Sequence, residues 1–210
     1  MIEVRLEGIE AALRAFDPRL VTKAAGLSID EAGDAARVAA KKELLAKWNL
    51  KPSRVDKELR KVRVTRTGNI EAVIEAKGRP ISLMYFGFKE KRRTVKGKGG
   101  KYRQVKGVTG AILKNEGGVS YLGAFMATMV SGHQGVFMSQ KRFFGRPDYN
   151  YGTPTRGRYA GQKGRTPVVS LATVTIATMF GQAPVQEAAK QAAEERFASR
   201  FNHHLKRLQG

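Results

Sequence analysis

The chain has 210 residues, which is enough for one well-formed hydrophobic core but would crowd two full domains. Its hydrophobic content of 41% excludes wholesale disorder, and its formal net charge of +21, from 39 Lys and Arg against 18 Asp and Glu, exceeds what solubility requires. This surplus predicts a partner rich in phosphate or carboxylate, and the lack of cysteine excludes disulfides and thiolate metal sites.

The distribution of apolar residues indicates a soluble, non-secreted protein. Residues 1–7 alternate charged and apolar side chains and contain no apolar h-region, so we do not expect a signal peptide. The longest mostly apolar run, over 168–180, contains several hydroxyl side chains and is too short to span a bilayer. We therefore expect no membrane partner.

The N-terminal quarter is predicted to be mainly helical. Residues 2–6 favour a short strand, and residues 9–16 favour one or two helical turns. Asp17 and Pro18 then predict a helix start, and apolar side chains recur every three or four positions from there to Trp48. The side chains on this face are Val21, Ala25, Ile29, Ala32, Ala36, Ala40 and Leu44. Because most of them are alanine, we expect close packing against a sheet or a neighbouring helix.

The middle of the chain changes from helical to strand periodicity. A short helix is predicted over 54–60, followed by a β-hairpin over 62–74 whose turn contains Thr67, Gly68 and Asn69. Residues 81–88 form an apolar run that predicts a further strand. A second hairpin is predicted over 122–138, because apolar residues alternate on both sides of a glycine-containing turn.

The C-terminal part returns to helix. A strand over 168–174 and an apolar turn over 176–180 are predicted before a helix that begins at Pro184. Its apolar face consists of Val185, Ala189, Ala193, Phe197, Phe201, Leu205 and Leu208. The whole pattern predicts one α+β domain over 1–210, with an antiparallel or mixed β-sheet packed against the long N-terminal helix and the C-terminal helix.

Two basic arms interrupt this pattern, at about 88–107 and about 141–166. The first is predicted to be an extended, mobile β-arm with a glycine-rich tip, and the second a long loop without helical or strand period. Together they carry about two-thirds of the net charge of +21. The candidate contact residues are the basic Lys89, Lys91, Arg92, Arg93, Lys96, Lys98, Lys101, Arg103, Lys106, Arg142, Arg146, Arg156, Arg158, Lys163 and Arg165, and the aromatic Tyr102, Phe143, Phe144, Tyr149, Tyr151 and Tyr159.

Catalytic and metal chemistry find little support in the sequence. A nucleophile elbow and a zinc-protease spacing are both missing, and His133, His203 and His204 favour turn, surface or packing roles. The run from Val95 to Tyr102 resembles a phosphate loop, but Val95 stands where the first glycine is required and Tyr102 where Ser or Thr is required. We therefore predict a protein that is not an enzyme, with no catalytic residue, metal or cofactor.

The basic arms with interleaved aromatic residues are the strongest functional signal. Their aromatic rings could stack on bases while their Arg and Lys side chains neutralise phosphates. The same charge could instead solvate long loops, or pair with acidic patches on identical or different neighbours. Neither arm contains a recognition helix or an RNA-binding strand motif, so any nucleic-acid contact is predicted to be independent of sequence.

Several short motifs follow one another after the long helix and on both sides of the first arm. They are Arg79–Leu83, Gly123–Met126, Gly135–Met138, Arg165–Val169 and Ala177–Phe180. In this order they resemble the minor tail protein Z family of tailed bacteriophages, over most of the chain from about residue 11 onward.

The resemblance implies a structural virion protein that completes a long non-contractile tail at its head-proximal end. Such a protein would be assembled in the host cytoplasm as a homo-oligomeric ring, expected to be a hexamer, between the tail terminator and the head-neck connector proteins. A ring of basic subunits could line or hold the path of the DNA through sequence-nonspecific attraction to phosphates. The alternative is a free, sequence-nonspecific nucleic-acid-binding protein of ribosomal or chaperone type.

Overall fold

The computed structural model describes residues 12, 17–66, 69–96, 100–129, 131–145, 153, 155–156, 160–162 and 167–209. The predicted N-terminal strand and most of the turns predicted before Asp17 lie outside the described residues. The chain divides into two compact units, of which unit 1 contains residues 1–47, 52–79 and 174–210, and unit 2 contains residues 48–51 and 80–173. A single domain over 1–210 stays a prediction.

Helices and strands are interspersed along the described residues. The helices are α1 (Pro18–Lys47), α2 (Pro52–Glu58), α3 (Gln140–Phe143), α4 (Ile176–Phe180) and α5 (Ala183–Gln209), with a 3₁₀ turn at Leu83–Phe86. The strands are β1 (Leu59–Arg66), β2 (Asn69–Ala76), β3 (Lys89–Lys96), β4 (Tyr102–Gly110), β5 (Val119–Leu122), β6 (Phe125–Thr128), β7 (Gln134–Ser139) and β8 (Val168–Leu171). The predicted α+β class is confirmed, and the strands are divided among three small antiparallel sheets, β1-β2, β3-β4-β5 and β6-β7-β8.

The two long helices α1 and α5 form the core of unit 1. Their apolar faces are buried nearly as predicted, at Val21, Ala25, Ala32, Ala36, Ala40 and Leu44 of α1 and at Val185, Ala189, Ala193, Phe197, Phe201 and Leu205 of α5. Lys47 at the end of α1 donates a hydrogen bond to Gln182, just before α5, at 2.9 Å. Glu31, in the middle of α1, pairs with Arg200 near the end of α5 at 2.7 Å. The helices are therefore antiparallel.

Local chemistry fixes the residue at which α1 begins. The Asp17 carboxylate accepts a hydrogen bond from the backbone N–H of Arg19 at 2.8 Å. One of the unpaired N–H groups of the first helical turn is thereby satisfied, and Pro18 has no N–H to satisfy. The predicted helix start is confirmed.

The hairpin formed by β1 and β2 lies against α1 at Gly33. A methyl group at this position would lie 2.9 Å from the Cβ of Ala72 and 2.9 Å from the Cδ of Lys61. These separations are shorter than van der Waals contact, so glycine is required by the close approach of the hairpin. The small residues on α1 thus allow a sheet and a helix to pack closely, as the sequence predicts.

We expect Gly33→Ala to destabilise the protein by about 1–3 kcal/mol, because overpacking outweighs the helix propensity of alanine, which favours the change by about 1 kcal/mol. Gly181→Ala serves as the matched control, since its new methyl group would meet neighbours only at 3.5 Å or beyond. That variant should be as stable as the wild type or slightly more stable. Urea unfolding curves of both variants test this, and equal stability of the two would contradict the packing at Gly33.

Glu31 joins α1 to α5 through three basic side chains. Its carboxylate lies 3.0 Å from His204 Nε2, 2.7 Å from Arg200 Nε and 3.4 Å from a terminal nitrogen of Arg196. Burial raises the pKa of Glu31, but the hydrogen bond from His204 and the charges of Arg200 and Arg196 together hold the pKa below its ordinary value of 4.5. The partners lie far apart in the sequence, and sequence reasoning did not find this cluster.

The lowered pKa of Glu31 predicts a loss of stability in acid. The unfolded chain binds a proton near pH 4.5, whereas the folded chain does so only at lower pH. The stabilisation is therefore fully present above pH 4.5 and is lost as the pH falls through the folded pKa. Glu31→Gln should cost about 1 kcal/mol at neutral pH, and the difference from wild type should shrink as the pH falls below 4.5.

Urea midpoints measured across this pH range test the prediction for Glu31. Glu43→Gln is the matched control, because Glu43 also lies on α1 but forms no ion pair within the described part of the chain. A pH-independent difference between Glu31→Gln and wild type would show that the charge of Glu31 does not stabilise the fold.

Unit 2 begins with the residues that follow α1. The side-chain amide of Asn49 donates hydrogen bonds to the carbonyl oxygen of Phe86 at 3.0 Å and to that of Ala111 at 3.2 Å. Lys51 N–H donates to the carbonyl oxygen of Tyr85 at 3.3 Å. These bonds connect the 3₁₀ turn to the segment between β4 and β5, so residues 48–51 are part of unit 2.

Three local predictions are wrong in detail. The helix predicted over 54–60 ends at Glu58, because Leu59 instead pairs with Ala76 in the β1-β2 ladder and is buried. The predicted apolar turn over 176–180 is the helix α4, whose first turn is capped by the Thr175 hydroxyl accepting from Thr178 N–H at 3.1 Å. The strand predicted over 168–174 is shorter and ends at Leu171.

The strand predicted over 81–88 is a larger error. Only Ser82 forms a bridge, to Ala172, and a 3₁₀ turn follows because Tyr85 N–H donates to the carbonyl oxygen of Ser82 at 3.0 Å. Leu83 and Phe86, three positions apart, are both buried on this turn. An apolar run of this length satisfies either period, which is why the sequence pattern misleads.

Candidate functional site

The first basic arm is a β-hairpin of β3 and β4, paired in register from Lys89 with Thr109 to Lys96 with Tyr102. The third strand of its sheet, β5, pairs only with the Gly107–Gly110 end of β4. Beyond that point the hairpin continues as two strands. We call this two-stranded part, residues 92–96 and 102–106, the basic ribbon.

The basic side chains of the ribbon are exposed and unneutralised. Arg92, Arg93, Lys96 and Lys106 are all exposed, and none forms an ion pair with any residue that the structure describes. The same holds for the flanking Lys89, Lys91 and Lys101. The ribbon therefore concentrates positive charge without internal compensation.

Basic side chains of unit 1 are arranged differently. Lys41 lies 2.7 Å from Asp56, and Lys61 lies 2.7 Å from Asp34. The difference follows from composition, because the only acidic residues in the sequence of unit 2 are Glu90, Glu116 and Asp148. Most of the positive charge of unit 2 therefore has no acidic side chain in the same unit to balance it.

The strand register divides the ribbon into two unlike faces. Side chains of directly paired residues stand on the same face, and successive residues alternate between faces. One face, which we call the polar face, consists of the pairs Arg92 with Lys106, Thr94 with Gln104, and Lys96 with Tyr102. The other face includes the half-buried Val95 and Val105, which are diagonal neighbours, together with Arg93.

The polar face places like charges directly opposite each other at Arg92 and Lys106. Such a pair repels and weakens the ribbon by a few tenths of a kcal/mol up to about 1 kcal/mol. A bound polyanion would remove this repulsion by neutralising both side chains. The free ribbon therefore carries a repulsion on its polar face that its own side chains do not relieve.

Glu90 anchors the base of the hairpin. Its carboxylate accepts a hydrogen bond from Met126 N–H, on β6, at 2.7 Å. Glu90 stands before the ribbon in β3, so this bond holds the β3-β4-β5 sheet to the β6-β7-β8 sheet at the root of the ribbon. Sequence reasoning did not assign it a role, although it is the one carboxylate in an otherwise basic strand.

Only part of the second arm lies within the described residues. Phe143 and Phe144 are exposed, and their rings meet edge to face with centroids 5.1 Å apart. The Arg142 side chain lies directly over Gly123, whose φ of +79° favours glycine, and Arg156 is exposed. The predicted contact residues Lys98, Arg146, Tyr149, Tyr151, Arg158, Tyr159, Lys163 and Arg165 lie outside the described residues, as does the side chain of Arg103.

The histidines do not converge on a site. His204 is buried against Glu31, and its neighbour His203 is exposed. Within the described ranges, no group of three or more His, Asp or Glu side chains is placed to hold a metal ion. Among the helices that the structure describes, none is long and apolar enough to cross a membrane.

No protein-family model matches the chain, and neither does any curated protein or any solved structure. The resemblance to the minor tail protein Z family stays a prediction from the order of the short motifs.

Proposed function

We propose that this protein is a structural, non-enzymatic virion component that forms a homo-oligomeric ring at the head-proximal end of a phage tail. In this proposal the basic ribbon contacts DNA without sequence preference. Other surfaces join the subunits to one another and to the tail terminator and head-neck connector proteins. Two observations support it: the order of the motifs in the sequence, and the uncompensated positive charge of the ribbon.

The proposed DNA contact depends on one observation, the uncompensated charge of the ribbon. A cation that binds a phosphate releases condensed counterions, which makes the binding favourable and dependent on salt. Side chains already paired with carboxylates would have to break those pairs first. The ribbon side chains Arg92, Lys96 and Lys106 have no such pair to break within the described chain.

Unit 1 of a second copy is a poorer partner for the ribbon than nucleic acid is. Many carboxylates of unit 1 are already engaged by basic side chains of the same unit. They are Asp30, Glu31, Asp34, Asp56, Glu58, Glu75 and Glu194. A partner that brings its own dense negative charge needs no such exchange, and phosphate backbones meet this requirement.

The exposed ring pair of Phe143 and Phe144 fits the protein contacts of the proposed ring. Aromatic side chains are enriched at protein interfaces, and these two present apolar surface at 48% and 57% exposure. A closed ring requires heterologous contacts, in which one surface of a subunit meets a different surface of the next. The aromatic pair is one such surface in this proposal.

Sedimentation and electron microscopy of the purified protein test the ring, and immunogold labelling of particles tests its location. The proposal predicts a closed oligomer and labelling at the junction of tail and head. A protein that stays monomeric and is missing from that junction would overturn it. If the monomer nevertheless binds free DNA or RNA tightly with a steep salt dependence, the alternative of a free nucleic-acid-binding protein is favoured.

A further inference from the structure

Tyr102 is unusual among the aromatic side chains of the described chain. It is 71% exposed, more than any other exposed large hydrophobic residue there. Tyr121, by contrast, packs with its ring centroid 6.0 Å from that of Phe88. A single exposed ring is ordinary on a protein surface, so its neighbours decide whether it has a role.

The directly paired neighbour of Tyr102 is a cation. Tyr102 is paired directly with Lys96, so both side chains stand on the polar face of the ribbon. Arg92 and Lys106 stand on the same face, four residue pairs farther from the tip. Gly100, two residues before Tyr102, is exposed, and a methyl group added there would meet nothing within 4 Å.

We infer that Tyr102 and Lys96 form a base-stacking site, and that this site makes the ribbon prefer single-stranded nucleic acid to duplex. The inference rests on the proposed function, because it assumes that the ribbon binds nucleic acid. A duplex offers phosphates to the cations but keeps the faces of its bases stacked inside the helix. A single strand offers the same phosphates together with free base faces, on which an exposed aromatic ring can stack.

This preference would suit a protein that holds the end of a DNA molecule. A ring that bound duplex tightly along its whole path would resist the passage of that duplex. Stacking on Tyr102 restricts tight binding to unpaired bases, such as those at an open end of the DNA. The cations attract the phosphates of the remaining duplex more weakly and without sequence preference.

Binding titrations with two fluorescent probes test the inference. The probes are an oligothymidine of about 16 nucleotides and a duplex of the same length, both at one ionic strength. Three variants are compared with wild type: Tyr102→Ala, Tyr102→Phe and Gln104→Ala. Gln104 is the matched control, because it is an exposed residue on the same strand and the same face but has no ring.

We expect Tyr102→Ala to weaken binding to the single strand by about tenfold or more and to leave duplex binding nearly unchanged. Tyr102→Phe should retain single-strand affinity, and Gln104→Ala should bind both probes as wild type does. Equal loss on both probes, no loss on either, or a wild type that prefers the duplex would overturn the inference while leaving DNA binding by the ribbon intact. A wild type that binds neither probe would overturn the proposed DNA contact itself.

Discussion

Replacing Arg92, Lys96 and Lys106 together with glutamate is expected to weaken binding to duplex DNA by about a hundredfold or more near 0.1 M salt. The slope of log affinity against log salt concentration should fall by about three, because each lost phosphate contact removes about 0.9 from it. The fold should survive, since all three side chains are exposed and none is paired within the described chain. Reversing both Arg92 and Lys106 also leaves the repulsion between these paired residues similar in size.

The control for this variant reverses three exposed lysines of unit 1, namely Lys23, Lys42 and Lys206. It changes the net charge by the same amount but leaves the ribbon intact. We expect the control to lose only the long-range attraction between protein and DNA, which salt screens. Its slope of log affinity against log salt concentration should equal that of the wild type. Titrations of both variants with duplex DNA at several salt concentrations test this prediction. An equal loss in the control would show that net charge, and not the ribbon, determines binding.

Phe86→Ala is expected to destabilise unit 2 by about 3–5 kcal/mol. Phe86 is fully buried on the 3₁₀ turn, and this turn packs against β7. Removal of the ring leaves a cavity at the point where Asn49 connects the turn to the segment after β4. Trp48 is the only tryptophan in the sequence and belongs to unit 2, so its fluorescence during urea unfolding reports on this unit.

Phe144→Ala is the control for the loss of a phenyl ring. Its side chain is 57% exposed, so the change should shift stability by no more than about 0.5 kcal/mol. If Phe86→Ala is no more destabilising than Phe144→Ala, the 3₁₀ turn does not contribute to the core of unit 2.

The parts of the fold that the sequence predicts well are those governed by local chemistry. Asp17 and Pro18 fix the start of α1 through the first helical turn, and the apolar periods of α1 and α5 identify their buried faces. The hairpin of β6 and β7 follows from alternating apolar residues on both sides of a turn that contains Gly132. Each of these features depends on residues that are close together in the chain.

Features that depend on distant residues could not be predicted. His204 and Glu31 are 173 positions apart, and no periodicity links them. The apolar run at 81–88 fits a strand as well as a turn, and only its packing in unit 2 decides between them. Which side chains share a face of the ribbon depends on the strand register, in which Lys96 pairs with Tyr102. A glycine-rich turn is compatible with more than one register, so the sequence alone does not determine this pairing.

The candidate site also combines features that the sequence predicts with features that only the structure shows. The concentration of basic residues in the first arm is evident from composition, and the structure places the described ones on one hairpin. Their freedom from ion pairs, in contrast to the paired lysines of unit 1, is visible only in three dimensions. The role of Glu90 at the root of the ribbon depends on a strand 36 positions away, so it also required the structure.

Amide hydrogen exchange with and without bound DNA tests the central claim most directly, because it reports where along the chain the nucleic acid binds. The account predicts slower exchange over residues 89–110, where the basic ribbon and its base lie, and little change in α1 and α5. Protection confined to α1 and α5, or no protection over 89–110 when DNA is bound, would contradict it.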